Sequence, residues 1–157
     1  MAEHLYHATV SWRRPPEADF AKGRYSRGHV WRFDGGIEVK AAASPQIVPK
    51  ALTPEDAVDP EEALVASLSS CHMLTFLDLA RRAGFVIDSY VDEAVGLLEK
   101  NAAGHLWMSK LTLRPRIVWG GTPPSAQELD RLHHAAHDNC IVANSVTTEI
   151  RIEAPAS

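Results

Sequence analysis

The chain of 157 residues contains only two cysteines, Cys71 and Cys140, too few for a disulfide scaffold. It lacks an excess of positive charge. Lysine and arginine total 16 against 20 aspartate and glutamate, the net charge is −4, and no basic stripe interrupts the balance. That argues against nucleic acid as a partner. No apolar run approaches the roughly 18 residues of a membrane span. The opening Met1-Ala2-Glu3-His4 has neither the basic nor the apolar region of a signal peptide. Internal repeats and low-complexity segments are missing as well. These absences predict a cytoplasmic protein with no membrane partner, whose two thiols stay reduced unless chemistry intervenes. What remains, 45% apolar and 23% charged residues, is ordinary for one globular domain spanning residues 1–157.

The most informative stretch runs from Asp59 to Gly84. Asp59 is placed as an N-cap, Pro60 occupies the first helical position, and Glu62 completes a capping box. Glu61 and Glu62 put negative charge in the first turn, Arg81 and Arg82 put positive charge in the last, and Gly84 suits the left-handed C′ position. Between these ends nearly every side chain is apolar or small, which predicts a helix buried on most sides. Cys71 sits at its middle. A thiol there is either inert filler or the reason the helix is central.

Upstream, residues 4–12 alternate as a strand, and residues 29–33 and 37–40 bracket Asp34-Gly35-Gly36 as a hairpin. Downstream, residues 86–100 form a long strand, bent or bulged, with 106–119 as its partner across the turn at Asn101–Gly104. Ser125 caps a second helix with Glu128 three residues later, and Leu129, Leu132 and Ala136 form its apolar stripe. Residues 145–152 alternate as a last strand. The order implies an α+β fold with mostly antiparallel sheets. Two helices and some six strands supply little cover for a helix that is apolar all round, so a homodimer is expected to complete it.

Pro60-Glu61-Glu62-Ala63-Leu64, with Cys71 ten residues after Glu61, resembles the hallmark of the osmotically induced and organic hydroperoxide resistance family, OsmC/Ohr. Cys140-Ile141-Val142-Ala143-Asn144-Ser145, after the second helix, resembles the family's second cysteine element. Ile141 stands where the family usually has proline, and Asp59 where it has asparagine. The resemblance implies an intertwined homodimer with two central helices wrapped by sheets from both chains. It also implies a thiol-dependent peroxidase that reduces organic hydroperoxides, with Cys71 attacking and Cys140 resolving, no bound cofactor, and an external dithiol as reductant. Family members carry an arginine near the thiol; here Arg27 is the first candidate, with Arg24 and Lys50 behind it.

A free thiol with a pKa near 8.5 is mostly protonated at neutral pH, and only its thiolate attacks a peroxide. A guanidinium at contact distance would favour the thiolate and polarise the peroxide. Ten residues of helix span about 15 Å, so Glu61 is expected to act through a bidentate pair with that arginine. Phe76, Met73 and Trp12 are candidates to line an apolar pocket. His133, His137 and Cys140 follow an H-x3-H-x2-C pattern, so that with Cys71 they offer an alternative metal- or small-molecule-binding reading without turnover. Otherwise these histidines belong to the polar side of the second helix.

Overall fold

The computed structural model describes residues 3–153, which divide into two compact units at Ala63/Leu64. In the first, strands β1 (Ala8–Ser11), β2 (His29–Phe33) and β3 (Glu38–Ala41) form an antiparallel meander in the order β1-β2-β3. The hairpin expected at Asp34-Gly35-Gly36 is present: Gly36 turns the chain at φ 81°, and Phe33 N–H donates to Ile37 O at 3.0 Å. Trp12, Phe20 and Tyr25 gather in the connection between β1 and β2, with ring centroids 4.7–5.9 Å apart.

Helix α1 (Pro60–Arg82) begins at the end of this unit. Asp59 Oδ1 accepts from Glu62 N–H at 2.7 Å, and Glu62 Oε2 accepts from Asp59 N–H at 3.3 Å, which is the reciprocal box the sequence predicts. Such a cap stabilises a helix by about 1 kcal/mol. At the other end Gly84 adopts φ 86° and Phe85 N–H reaches Ala80 O at 3.0 Å, closing the last turn.

The second unit holds the rest of α1, strands β4 (Ile87–Asp92), β5 (Val95–Lys100), β6 (Leu106–Leu113), β7 (Pro115–Trp119) and β8 (Glu149–Ile152), and helix α2 (Ala126–Asn139). The two long strands expected at 86–100 and 106–119 are each broken, so their hairpin becomes two sheets, β4-β7 and β5-β6-β8. The cause lies at Asp92 and Arg114. Asp92 Oδ1 takes the Arg114 N–H at 2.6 Å, and Pro115 has no N–H to give to a ladder. Asp92 Oδ2 meanwhile accepts from Ser69 Oγ of α1 at 2.5 Å, tying the break to the helix. Strand β8 joins β6 in parallel, Lys110↔Glu149 to Leu113↔Ile152, while all other ladders are antiparallel.

Helix α1 is less enclosed than its composition suggests. Its buried positions are Leu68, His72, Phe76 and Ala80, a single stripe at a spacing of four. Leu68 packs with Leu111 and Leu113 over the β5-β6-β8 sheet, and Phe76 and Ala80 pack with Ala136 of α2 over β4-β7. Mean hydropathy over 18 residues of α1 reaches 1.4, which corrects the expectation that no stretch approaches a membrane span. Only 22% of that window is buried, and Leu74 is 61% exposed.

Candidate active site

Cys71 lies half-buried on α1, in the turn between the two core clusters. Cys140 is the C-cap of α2, where the chain leaves the helix at φ −74°, ψ 113°, and its side chain is fully buried. The capping position follows from the sequence. Ser125 and Glu128 fix where α2 starts through a complete capping box, and Cys140 N–H makes its closing bond to His137 O at 3.2 Å. The two thiols, 69 positions apart in sequence, are neighbours, close enough for Cys71 to raise the Cys140 pKa. Cys140 Sγ also accepts from Ala143 N–H at 3.4 Å. Burial, followed by the neighbouring Cys71 thiol, pushes the Cys140 thiol up to about 11, so it stands protonated at neutral pH.

A cavity of about 400 Å³ opens over Cys71. Ser67, Ser70, Leu74 and Thr75 line it from α1, and Ile141 and Val142 from the segment after Cys140. The cavity is mostly apolar as expected, but its lining residues are not the expected ones. Phe76 is wholly buried in the core and Met73 does not line the cavity, because both lie on other faces of the helix than Cys71. Trp12 packs on Phe20 and Tyr25 instead. Hydroxyl-bearing residues therefore share the wall with aliphatic ones.

Of the other predicted residues, Glu61 sits in the first turn of α1 with Oε2 buried and without a hydrogen-bond partner among the described residues. The bidentate pair with arginine expected there is thus not formed, since it requires both oxygens. Arg27 turns inward on its own loop. Its Nη1 donates to Gly23 O at 2.9 Å and Tyr25 O at 2.5 Å, and its guanidinium lies 3.8 Å over the Tyr25 ring. Arg24 is held at the surface by Asp19 at 2.6 Å, and Lys50 by Glu55 at 3.9 Å.

The histidines depart furthest from expectation. His133 is not on the polar side of α2 but 4% exposed, facing His72, itself 1% exposed. His72 Nε2 and His133 Nδ1 are 3.2 Å apart. The pattern carried a usable signal: His133 falls between Leu129, Leu132 and Ala136 on the apolar stripe, as His72 falls between Leu68 and Phe76. Burial, reinforced by His137 for His72 and by His72 for His133, brings both rings down to about 4, so they are neutral at pH 7. Among the described residues no three His, Cys, Asp or Glu side chains are grouped to hold a metal ion. The suggested set of His133, His137, Cys140 and Cys71 is therefore not assembled.

A central helix carries one thiol beside a second thiol at the end of another helix, on an antiparallel-rich α+β frame. Residues 53–154 match the family model for OsmC-like proteins, and the chain belongs to that family. It is similar in structure to an OsmC-like protein of unknown function from Vibrio cholerae, with 48% identity, TM-score 0.93, and 98% of this chain and 99% of that one covered. More distant likenesses show the same fold. One is the organic hydroperoxide resistance protein OhrB of Bacillus subtilis, at 16% identity and TM-score 0.70, covering 96% and 98%. Another is an organic hydroperoxide resistance protein OsmC from Legionella pneumophila, at 14% identity and TM-score 0.67, covering 98% and 97%. No curated protein matches the sequence.

Proposed function

We propose that the protein is a cysteine-based peroxidase that reduces organic hydroperoxides. The observation that carries this reading is the Cys71 thiol in the wall of a cavity able to admit a small organic molecule, with the buried Cys140 thiol as its neighbour. Cys71, the more accessible, attacks the peroxide: Cys71–SH and R–O–OH give Cys71–SOH and R–OH. Cys140, its neighbour, condenses with the sulfenic acid to give the disulfide and water. An external dithiol then restores both thiols by exchange. No bound cofactor is required, and a reducing cytoplasm suits two free cysteines. A cation must favour the thiolate; Arg27 is proposed for it, being half-buried where Arg24 and Lys50 are held at the surface. Glu61 Oε2 is the acceptor that would orient it.

The experiment is a thiol count before and after one equivalent of cumene hydroperoxide. The parent protein loses two thiols. Cys140→Ser loses one, and its Cys71 becomes trappable by a carbon nucleophile that reacts with sulfenic acids. A parent that retains both thiols sinks the reading.

The same reading includes a homodimer. Leu74 at 61% and Ile141 at 74% exposure leave the mouth of the cavity apolar and open, on a helix mostly unburied within one chain. Sedimentation equilibrium is expected to give twice the chain mass, with Leu74→Glu shifting the protein toward monomer. A parent that sediments as a monomer at micromolar concentration would refute the dimer and leave the thiol chemistry standing.

A further inference from the structure

His72 and His133 play no part in the cycle above, yet both are buried in the second unit. His72 directly follows Cys71 on α1. His133 stands seven residues before Cys140, about 10 Å back along α2. Their rings are parallel to within 10°, with centroids 5.5 Å apart, and Phe76 stacks on His133 at 4.4 Å. Theirs is the only side-chain hydrogen bond that joins α1 to α2 among the described residues.

Two apolar rings would fill this space with less desolvation, because a buried polar pair gains little net stability over a well-packed hydrocarbon pair. What the polar pair adds is direction. A hydrogen bond has a preferred length and angle, so it resists the sliding and rotation of α2 that purely apolar packing tolerates. The disulfide has strict demands of its own. Its Cα atoms must stand about 4.4–6.8 Å apart, and its torsion falls near 90°. A displacement of about 1 Å between reacting groups costs up to a hundredfold in rate.

We propose that the His72–His133 contact is the positioning element of the dithiol pair: it holds α2 in register against α1 so that Cys140 Sγ stays within reach of Cys71, and it governs disulfide closure rather than attack on the peroxide. The inference rests on the peroxidase reading for its first step only. In the step it governs, Cys140 Sγ attacks the Cys71 sulfur of the sulfenic acid, the S–O bond breaks as the S–S bond forms, and the hydroxyl leaves with the Cys140 proton as water. Neither histidine touches the substrate or the sulfur atoms in this account; both act through the helices that carry the cysteines.

The test separates the two steps in the full-length protein. Reduced protein is mixed with tert-butyl hydroperoxide; sulfenic acid is trapped with dimedone to time the attack, and loss of the second thiol times closure. His133→Phe and His72→Phe are expected to leave attack within about twofold of the parent and to slow closure by about tenfold or more, with sulfenic acid accumulating. His133→Gln, which keeps a hydrogen-bonding group beside His72, should recover most of the closure rate. The double variant His72→Phe/His133→Phe removes the unpaired nitrogen that each single variant leaves, so it recovers stability while closure stays slow. Unchanged closure in the single variants, or closure restored in the double one, would overturn the proposal. If hydroperoxide leaves the parent's thiols untouched, the functional reading fails alone. The Cys71–Cys140 disulfide is then equilibrated in dithiothreitol redox buffers without peroxide, where His133→Phe is expected to disfavour the disulfide by about tenfold. An unchanged equilibrium there overturns the positioning role by itself.

Discussion

On the proposed function, Cys71→Ser is expected to abolish hydroperoxide reduction, lowering the turnover of cumene hydroperoxide with dithiothreitol by at least about a thousandfold, the scale on which losing a nucleophile is felt. The expectation follows from where each sulfur stands. Cys140 is fully buried and its thiol is pushed up to about 11, so it offers almost no thiolate to a peroxide at neutral pH. Cys71 is the thiol that reaches the cavity. A serine hydroxyl in its place keeps the shape of the turn and the Thr75 Oγ bond to the residue 71 carbonyl, 2.9 Å in the parent, so the fold should persist. The variant should therefore elute and melt like the parent while consuming no peroxide. Cys140→Ser differs in kind: it still attacks once, then depends on the external thiol to clear the sulfenic acid. If Cys71→Ser retained a tenth of the parent activity, Cys71 could not be the attacking group, and the cavity over it would need another explanation.

How far the sequence foretold this arrangement depended on the range of the interaction involved. Both helices could be read because their ends are set by residues three or four positions apart: Asp59 with Glu62, Ser125 with Glu128, and Gly84 past the last turn. The meeting of Cys71 and Cys140 came from spacing that resembled a family, and no local rule would have produced it. The broken hairpin was not legible. The Asp92 carboxylate takes the Arg114 N–H across 22 residues, and no periodicity encodes such a bond. His133 was misplaced for another reason. Histidine is polar by composition, but here two histidines pair across 61 residues, leaving His133 Nε2 without a partner among the described residues, so one could be assigned to the core only together with the other. The cation suffered most. Arg27, Arg24 and Lys50 lie in segments whose local partners, Tyr25, Asp19 and Glu55, became visible only with coordinates.

The same buried histidines make stability fall steeply in mild acid. In the unfolded chain each titrates near 6.5, while in the folded protein burial holds both near 4. Between those values the unfolded state binds more protons than the folded one, so stability rises with pH through the window and levels off above about pH 7. It is lost as the pH falls from 6.5 toward 4. At pH 5 each histidine withholds stabilisation on the order of 2 kcal/mol, or about 4 kcal/mol for the pair, against a total that for domains of this size is about 5–15 kcal/mol. The surrounding charges trim this figure without reversing it. Asp92 favours the charged form of His72 and Asp130 that of His133, whereas His137 and His134 oppose it. Tyr90, whose buried hydroxyl is held protonated far above its ordinary range, contributes no charge there. Exposed carboxylates such as Asp78 and Glu93 are lowered by Arg81 and Arg116, so their contribution is also lost as the pH falls and runs in the same direction. Urea unfolding at pH 7.5 and pH 5.0 is expected to show the difference in midpoint, and the double variant His72→Phe/His133→Phe to abolish most of it. A parent equally stable at both pH values would mean that these rings take up protons without leaving the core, and that their burial is looser than the 3.2 Å contact implies.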